Sequence, residues 1–177
     1  MGLMLRTGSR GQYYGNDYNS SQALTMDQMK VNAQYIFGFL SAQGWTTQSI
    51  CAMLGNMQAE SSINPGRWQN DRVGGNASGH GYGLVQWTPY TKYTDWIVNN
   101  GYADPSEMDA NLTRILSEVA NNIQWIATSS YNLSFIEFSQ SRESISNLAK
   151  SFLLCYERPA DQSTSVQNLR ASNAIAW

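Results

Sequence analysis

Four residues at helical spacing set the chemistry that this sequence can support. Ile50, Met53, Met57 and Glu60 follow one another at steps of three, four and three, so their side chains share one helix face. Three are apolar and the fourth is a carboxylic acid. Burying a carboxylate without a partner is costly, so a Glu in that setting is unusual. Partial burial favours the neutral form of a carboxyl group. A carboxylic acid that stays protonated near neutral pH can donate a proton to a leaving-group oxygen. The spacing also admits a plainer reading, in which Glu60 ends a fraying helix and reaches sideways to water or to Arg67. Its position favours the first. The helix opens there into a Gly-rich stretch, where a cleft edge is expected, and a helix holds a side chain more rigidly than a loop does.

The elements around this helix follow from caps, breakers and periodicity. Thr25 and Gln28 fit a capping box, and Met29, Ala33, Ile36, Phe37 and Leu40 continue at helical spacing until Gly44. The helix carrying Glu60 is expected from about Thr46 or Thr47 to Ser61, stopped by Asn64-Pro65-Gly66. Residues 67–87 are rich in Gly and Asn and read as loops with a small hairpin. Thr88-Pro89 opens a further helix that Gly101 closes. Asp104-Pro105 opens another, striped by Met108, Leu112, Ile115, Val119 and Ile123. A short helix is expected from Ser134 to about Gln140, and a longer one through Ile145, Leu148, Phe152 and Tyr156 that ends at Pro159. Residues 161–177 are weakly patterned. Residues 1–24 lack a helical period and read as an extended arm or linker, leaving 25–177 as one domain. The expected class is α+β, predominantly helical.

Composition narrows the function classes. The 177 residues carry a formal charge of −2, with 14% charged residues, so nucleic-acid binding is disfavoured. No apolar run approaches the roughly 20 residues that span a bilayer. The N-terminal stretch Leu3-Met4-Leu5 is too short for a secretory leader, so no signal peptide is expected. Cys51 and Cys155 are too few for a disulfide framework and read as buried free thiols. His80 is the one histidine, and no carboxylate cluster has metal-ligand spacing, so neither metal nor cofactor is expected. Six Trp and ten Tyr among many Asn, Gln and Ser suit sugar rings, and equally an ordinary core.

Two strings carry a resemblance. Gln58-Ala59-Glu60-Ser61-Ser62-Ile63-Asn64-Pro65, followed by Gly81-Tyr82-Gly83-Leu84-Val85-Gln86-Trp87, resembles the lysozyme and lytic transglycosylase superfamily. There, a Glu-Ser pair ends a helix and a Gly-Leu-Met-Gln-like stretch follows after a loop. The segments 25–36, 53–58 and Tyr156-Glu157-Arg158-Pro159 are similar to phage tail lysozymes, the lysozyme domains of tail-tip knob proteins of small Bacillus podophages. The resemblance runs from about Thr25 to Ala160. It implies a lysozyme-like, two-lobed fold with the substrate groove between lobes. It implies cleavage of the β-1,4 bond between N-acetylmuramic acid and N-acetylglucosamine in peptidoglycan glycan strands. Glu60 would be the general acid. Ser61, Gly83, Leu84 and Gln86 would line the groove, Tyr82 and Trp87 would lie against sugar faces, and Tyr156 would face the groove.

A second carboxylate is harder to find. Most glycosidases use two, at about 5–5.5 Å for retention and about 6.5–9.5 Å for inversion. Asp71, in the Gly-rich stretch, is the best candidate, and it reads equally well as a turn former beside Arg72. Glu157 beside Arg158 reads as an ion pair, and Asp95 as a solvated helix residue. A lytic transglycosylase needs one enzymic carboxyl group, so that activity stays open, as does a glucosaminidase cutting the other bond. A wall-binding virion module without catalysis is the alternative of a different class. An enzyme acting outside the membrane without a leader would travel on a virion tail, with other tail proteins as partners, or be released from the infected cell.

Overall fold

The computed structural model describes residues 2–76 and 79–177. Ala77 and Ser78, within the expected Gly-rich loop, lie outside the described residues. Among these residues the chain forms a two-stranded antiparallel sheet and seven α-helices. The class is α+β, dominated by helices, as expected. The chain divides into two compact units, Met1–Tyr35 with Glu60–Ile115, and Ile36–Ala59 with Leu116–Trp177.

The N-terminal residues depart from the expected arm. β1 (Leu3–Gly8) and β2 (Gly11–Asn16) pair in register from Leu3↔Asn16 to Gly8↔Gly11, turned by Ser9-Arg10. Six-residue strands closed by glycines give too short a period-two signal to stand out in a polar sequence. The hairpin is bound into the first unit by side chains of later segments. Arg6 pairs with Asp104 at 2.8 Å and donates to Ser106 Oγ at 2.6 Å. Tyr14 exchanges two 2.7 Å hydrogen bonds with the buried Asn32 side chain. Tyr13, 2% exposed, packs edge-on against Tyr35. The Gly8 α-carbon lies so close to Tyr35 that an added Cβ would fall 2.1 Å from its hydroxyl.

α1 (Met26–Ser41) starts at the expected capping box. Thr25 N donates to Gln28 Oε1 at 2.9 Å and Gln28 N to Thr25 Oγ1 at 3.2 Å. α2 (Thr47–Ser61) is capped by Thr46 Oγ1, which accepts from Ser49 N. Every residue of α2 from Ser49 to Met57 is buried, so this helix is enclosed on all sides. α3 (Thr91–Asn99) starts two residues after the expected Thr88-Pro89 opening. α4 (Met108–Asn121) buries Met108, Leu112, Ile115 and Val119 as its stripe requires, whereas Ile123 lies beyond the helix and is exposed.

The second unit centres on aromatic residues. α5 (Phe135–Gln140) opens with a capping box between Ser134 and Glu137. Phe135, Phe138, Trp125 and Phe152 form a cluster, with Trp125 stacked on Phe135 at 4.9 Å between ring centres. Such pairs add about 0.5–1.5 kcal/mol each beyond the area they bury. α6 (Ile145–Phe152) runs into a π-helical turn, Leu153–Glu157, which ends at Arg158 in the left-handed conformation. The tail that carries little pattern is in fact α7 (Thr164–Ala176), capped by Ser163. It is held by close approach and polar contacts rather than by a large apolar face. An added Cβ on Gly55 would meet Ala174 N at 2.5 Å, and Trp177 Nε1 donates to Gln58 Oε1 at 3.0 Å. Cys51 and Cys155 are free and buried, and burial raises both thiols above their usual range.

Candidate active site

Glu60 occupies the last turn of α2 and is half-buried, while Ile50, Met53 and Met57 on the same face are fully buried. The face therefore runs from the interior to the surface, and Glu60 stands at its edge. The chain then turns sharply. Ser62 and Ile63 both adopt the left-handed region, with φ of 51° and 56°. That conformation is costly for a β-branched residue, and persists only where the surroundings over-determine it. Here they do. Ser62 Oγ accepts from Leu24 N at 2.8 Å and from Arg67 Nη1 at 3.1 Å, and Asn32 Nδ2 donates to Ile63 O at 2.8 Å. Asn64, fully buried, accepts from Gly66 N and Asn16 N and donates to Asn16 Oδ1 and Gln22 O. The first 24 residues thus fasten the turn that follows Glu60.

Ser61, fully buried, points its hydroxyl at the second motif, donating to Leu84 O at 2.7 Å. That motif is a tight loop. Tyr82 and Trp87 exchange backbone hydrogen bonds of 3.1 and 3.0 Å around Gly83-Leu84-Val85-Gln86. The expected hairpin of the Gly-rich stretch is therefore reduced to isolated bridges. Gly83 has φ +89°, and an added Cβ would lie 2.8 Å from both Asn111 Oδ1 and Trp87 Cζ3, so no other residue fits without a shift. Gln86, also left-handed, turns its amide inward and donates to Arg67 O at 2.9 Å and Gly83 O at 3.0 Å.

Arg67 joins the two halves of this site. Its carbonyl accepts from Gly83 N and from Gln86, and its guanidinium grips Asp71 with Nε at 2.7 Å and Nη2 at 3.3 Å. Asp71 also accepts from Ser21 Oγ at 2.7 Å, and its side chain is 42% exposed. The turn-forming conformation expected of Asp71 is present, since Asn70 and Asp71 are both left-handed, but its ionic partner is Arg67 and not the adjacent Arg72.

The aromatic residues of the motif face inward. Tyr82 is fully buried among Trp68, Tyr18 and Tyr93. Trp87, 4% exposed, stacks on Tyr93 at 4.5 Å and 11°. Burial holds the phenols of Tyr82 and Tyr93 well above their usual range. The ring faces expected to meet sugar are covered by other rings, because this unit builds its core from aromatic side chains. Leu84 is fully buried as well.

Tyr156 belongs to the second unit. It is 2% exposed, stacks on Phe152 at 4.7 Å, and donates to Glu118 Oε1 at 2.6 Å. Glu118 is 1% exposed and is a carboxylate that the sequence reading passed over. Its signal was present: it follows Ile115 by three on the α4 stripe, the relation that singled out Glu60. Asn111 was missed in the same way, between Met108 and Leu112 on that stripe. It is fully buried and holds the Gly83–Leu84 turn from behind, with Oδ1 accepting from Leu84 N at 3.0 Å. His80 sits in the loop, and Nδ1 accepts from Asn76 N. Among the described residues no group of three or more His, Cys, Asp or Glu could hold a metal ion.

A mostly helical α+β chain with a Glu-Ser pair at a helix end, tied to a Gly-Leu-Val-Gln turn, has the layout of the lysozyme-like class. The sequence signature of the phage tail lysozyme family matches residues 31–177, and the chain belongs to that family. Morphogenesis protein 1 of Bacillus phage B103 is 49% identical over 160 residues, 90% of this chain. The matched region spans 42% of that relative's length.

Proposed function

We propose that this chain is a peptidoglycan glycoside hydrolase of the muramidase type, cleaving the β-1,4 bond between N-acetylmuramic acid and N-acetylglucosamine, with Glu60 as general acid. One observation carries the reading: Glu60 stands at the surface edge of a buried helix, and the adjacent Ser61 ties that helix end to the Gly83–Gln86 turn. A rigid helix end aims the carboxyl group, and proton donation to the glycosidic oxygen lets the bond break. Groups of this kind contribute typically about 10²–10⁴-fold. Gln86, half-buried at the turn, offers its amide oxygen to sugar substituents, while Tyr82, Gly83, Leu84 and Trp87 support the turn from inside.

Asp71 is the candidate second carboxylate, in the same unit as Glu60. Its charge is shared with Arg67, which favours a part in holding the loop over one in activating water. This is the observation that supports a second reading, a lytic transglycosylase that uses Glu60 alone and closes a 1,6-anhydro ring on the muramyl residue. The family and the name of the phage B103 relative support a place on the virion tail, with neighbouring tail proteins as partners and the host wall as target.

The test is digestion of purified peptidoglycan with product mass spectrometry. Reducing muramic acid ends support the muramidase, anhydromuramyl ends the transglycosylase, and reducing glucosamine ends a glucosaminidase. Glu60→Gln is expected to fold and to release no fragments; a folded variant that still clears walls would overturn the assignment of the acid. Asp71→Asn is expected to lower kcat less than about ten-fold, whereas a direct catalytic part predicts about 100-fold or more. Wall binding by the native chain with no soluble product would leave a non-catalytic virion module.

A further inference from the structure

Asn111 is a fully buried polar residue of the first unit whose side chain meets several partners. Its Oδ1 accepts from Leu84 N at 3.0 Å. Its Nδ2 lies 3.0 Å from Glu107 O and from the Tyr93 hydroxyl, 3.2 Å from Pro105 O and 3.3 Å from Pro65 O. An amide nitrogen has two protons, so four acceptors share them. Three of these acceptors, Glu107 O and Pro105 O just before α4 and the Tyr93 hydroxyl of α3, hold Asn111 in the first turn of α4. The other two contacts reach the candidate site, at Leu84 N in the turn and at Pro65 O in the bend after Glu60's helix. Leu84 N belongs to the turn that Ser61 grips through Leu84 O, and Pro65 O closes the bend that begins at Ser62.

We propose that Asn111 is a positioning residue for Glu60, acting through the backbone of Leu84 and through Ser61. After Ser61 the helix stops, since Ser62 and Ile63 are left-handed, so no further helical turn holds the end of α2 from its C-terminal side. The Ser61 hydroxyl does, but only as firmly as Leu84 is itself held. Asn111 accepts from the N–H of Leu84 and Ser61 donates to its carbonyl, so the order Asn111 Oδ1, Leu84 N, Leu84 O, Ser61 Oγ braces the residue next to Glu60. The absent side chain of Gly83 is part of the same device, because a Cβ there would strike Asn111 Oδ1 at 2.8 Å. This inference rests on Glu60 being the acid.

Two variants separate bracing from mere stability. Asn111→Leu has a similar volume and neither acceptor nor donor. Asn111→Asp keeps the acceptor for Leu84 N and loses the amide donors. With kcat and KM on soluble glycan fragments measured per folded molecule, Asn111→Leu is expected to lose about 10–100-fold in kcat with KM within about three-fold, and Asn111→Asp to retain at least about ten-fold more kcat than Asn111→Leu. Combining Asn111→Leu with Ser61→Ala is expected to lose little more than the worse single variant, since both act on the backbone of Leu84. Equal kcat in folded Asn111→Leu and native protein, equal losses in the two Asn111 variants, or additive losses with Ser61→Ala would overturn the proposal. Should Asn111→Leu not fold, Asn111→Asp decides, and a loss beyond about ten-fold in its kcat overturns it. A native chain that cleaves no glycan defeats the reading of Glu60 instead.

Discussion

Ser61 Oγ donates to Leu84 O across 2.7 Å, joining the end of α2 to a turn 23 residues later. Both residues are fully buried, so the carbonyl has no access to water as a substitute. Ser61→Ala leaves that acceptor without its donor, at a cost of about 1–3 kcal/mol. A lower melting temperature together with reduced wall-clearing rate is expected. A variant as stable and as active as the native chain would mean that the bond contributes neither support nor aim.

Gly83 and Gly101 are both left-handed, with φ of +89° and +84°, and they make a matched pair. An added Cβ at Gly101 meets nothing within 4 Å, so Gly101→Ala carries the conformational term alone, about 1–2 kcal/mol. An added Cβ at Gly83 meets Asn111 Oδ1 and Trp87, and overpacking adds about 1–3 kcal/mol. Thermal unfolding is expected to rank native above Gly101→Ala above Gly83→Ala. Only Gly83→Ala is expected to reduce glycan cleavage per folded molecule. Equal melting temperatures for the two variants would refute close packing behind the turn.

The apolar helix face that a charge interrupts at Glu60 was legible from spacing, and burial bears it out at Ile50, Met53 and Met57. The capping box at Thr25 was legible too, since it is short-range chemistry written in neighbouring residues. The hairpin and α7 were not. What fixes them is long-range: Asn16 with Asn64, Arg6 with Asp104, Ala174 against Gly55. Such contacts leave no period in either partner. Tyr82 and Trp87 carry a different lesson. Their residue type suits sugar binding and core packing alike, and only three-dimensional neighbours reveal that Tyr93 covers both.

Asn16 tests whether the N-terminal residues belong to the working unit. It is fully buried and meets Asn64 twice, with its side-chain oxygen also accepting from Gln22 N. Asn16→Ala leaves one proton of the buried Asn64 amide without its acceptor and frees the Gln22 N–H, and a loss of about 1–3 kcal/mol is expected. Protease cleavage after Arg67 or Arg72 should quicken in the same variant, because the Ser62–Asn64 bend loses one of its anchors. A detached arm would instead make Asn16→Ala silent in both assays.

The contacts between the hairpin and α4 predict opposite pH responses from two neighbouring carboxyl groups. Burial, and next the charge of Asp104, hold Glu107 above its ordinary 4.5. The unfolded chain therefore releases this proton first as pH rises, so Glu107 lowers stability once pH passes through 4.5 and on through the folded value. Glu107→Gln is expected to raise the melting temperature at pH 7, with the gain shrinking towards zero below pH 4.5. Asp104 behaves the other way. Burial works to raise it, but hydrogen bonds from Ser106 and Arg6 and the charge of Arg6 overcome that and hold it below 3.8. Its stabilisation is present above 3.8 and is lost as pH falls through the lowered folded value. Asp104→Asn is expected to cost stability at pH 7, by no more than about 1 kcal/mol because the pair is partly solvated. That cost should fade in strong acid. Melting curves of the two variants and the native chain between pH 2 and pH 7 check both signs, and a pH-independent difference in either variant would contradict the electrostatic origin of its effect.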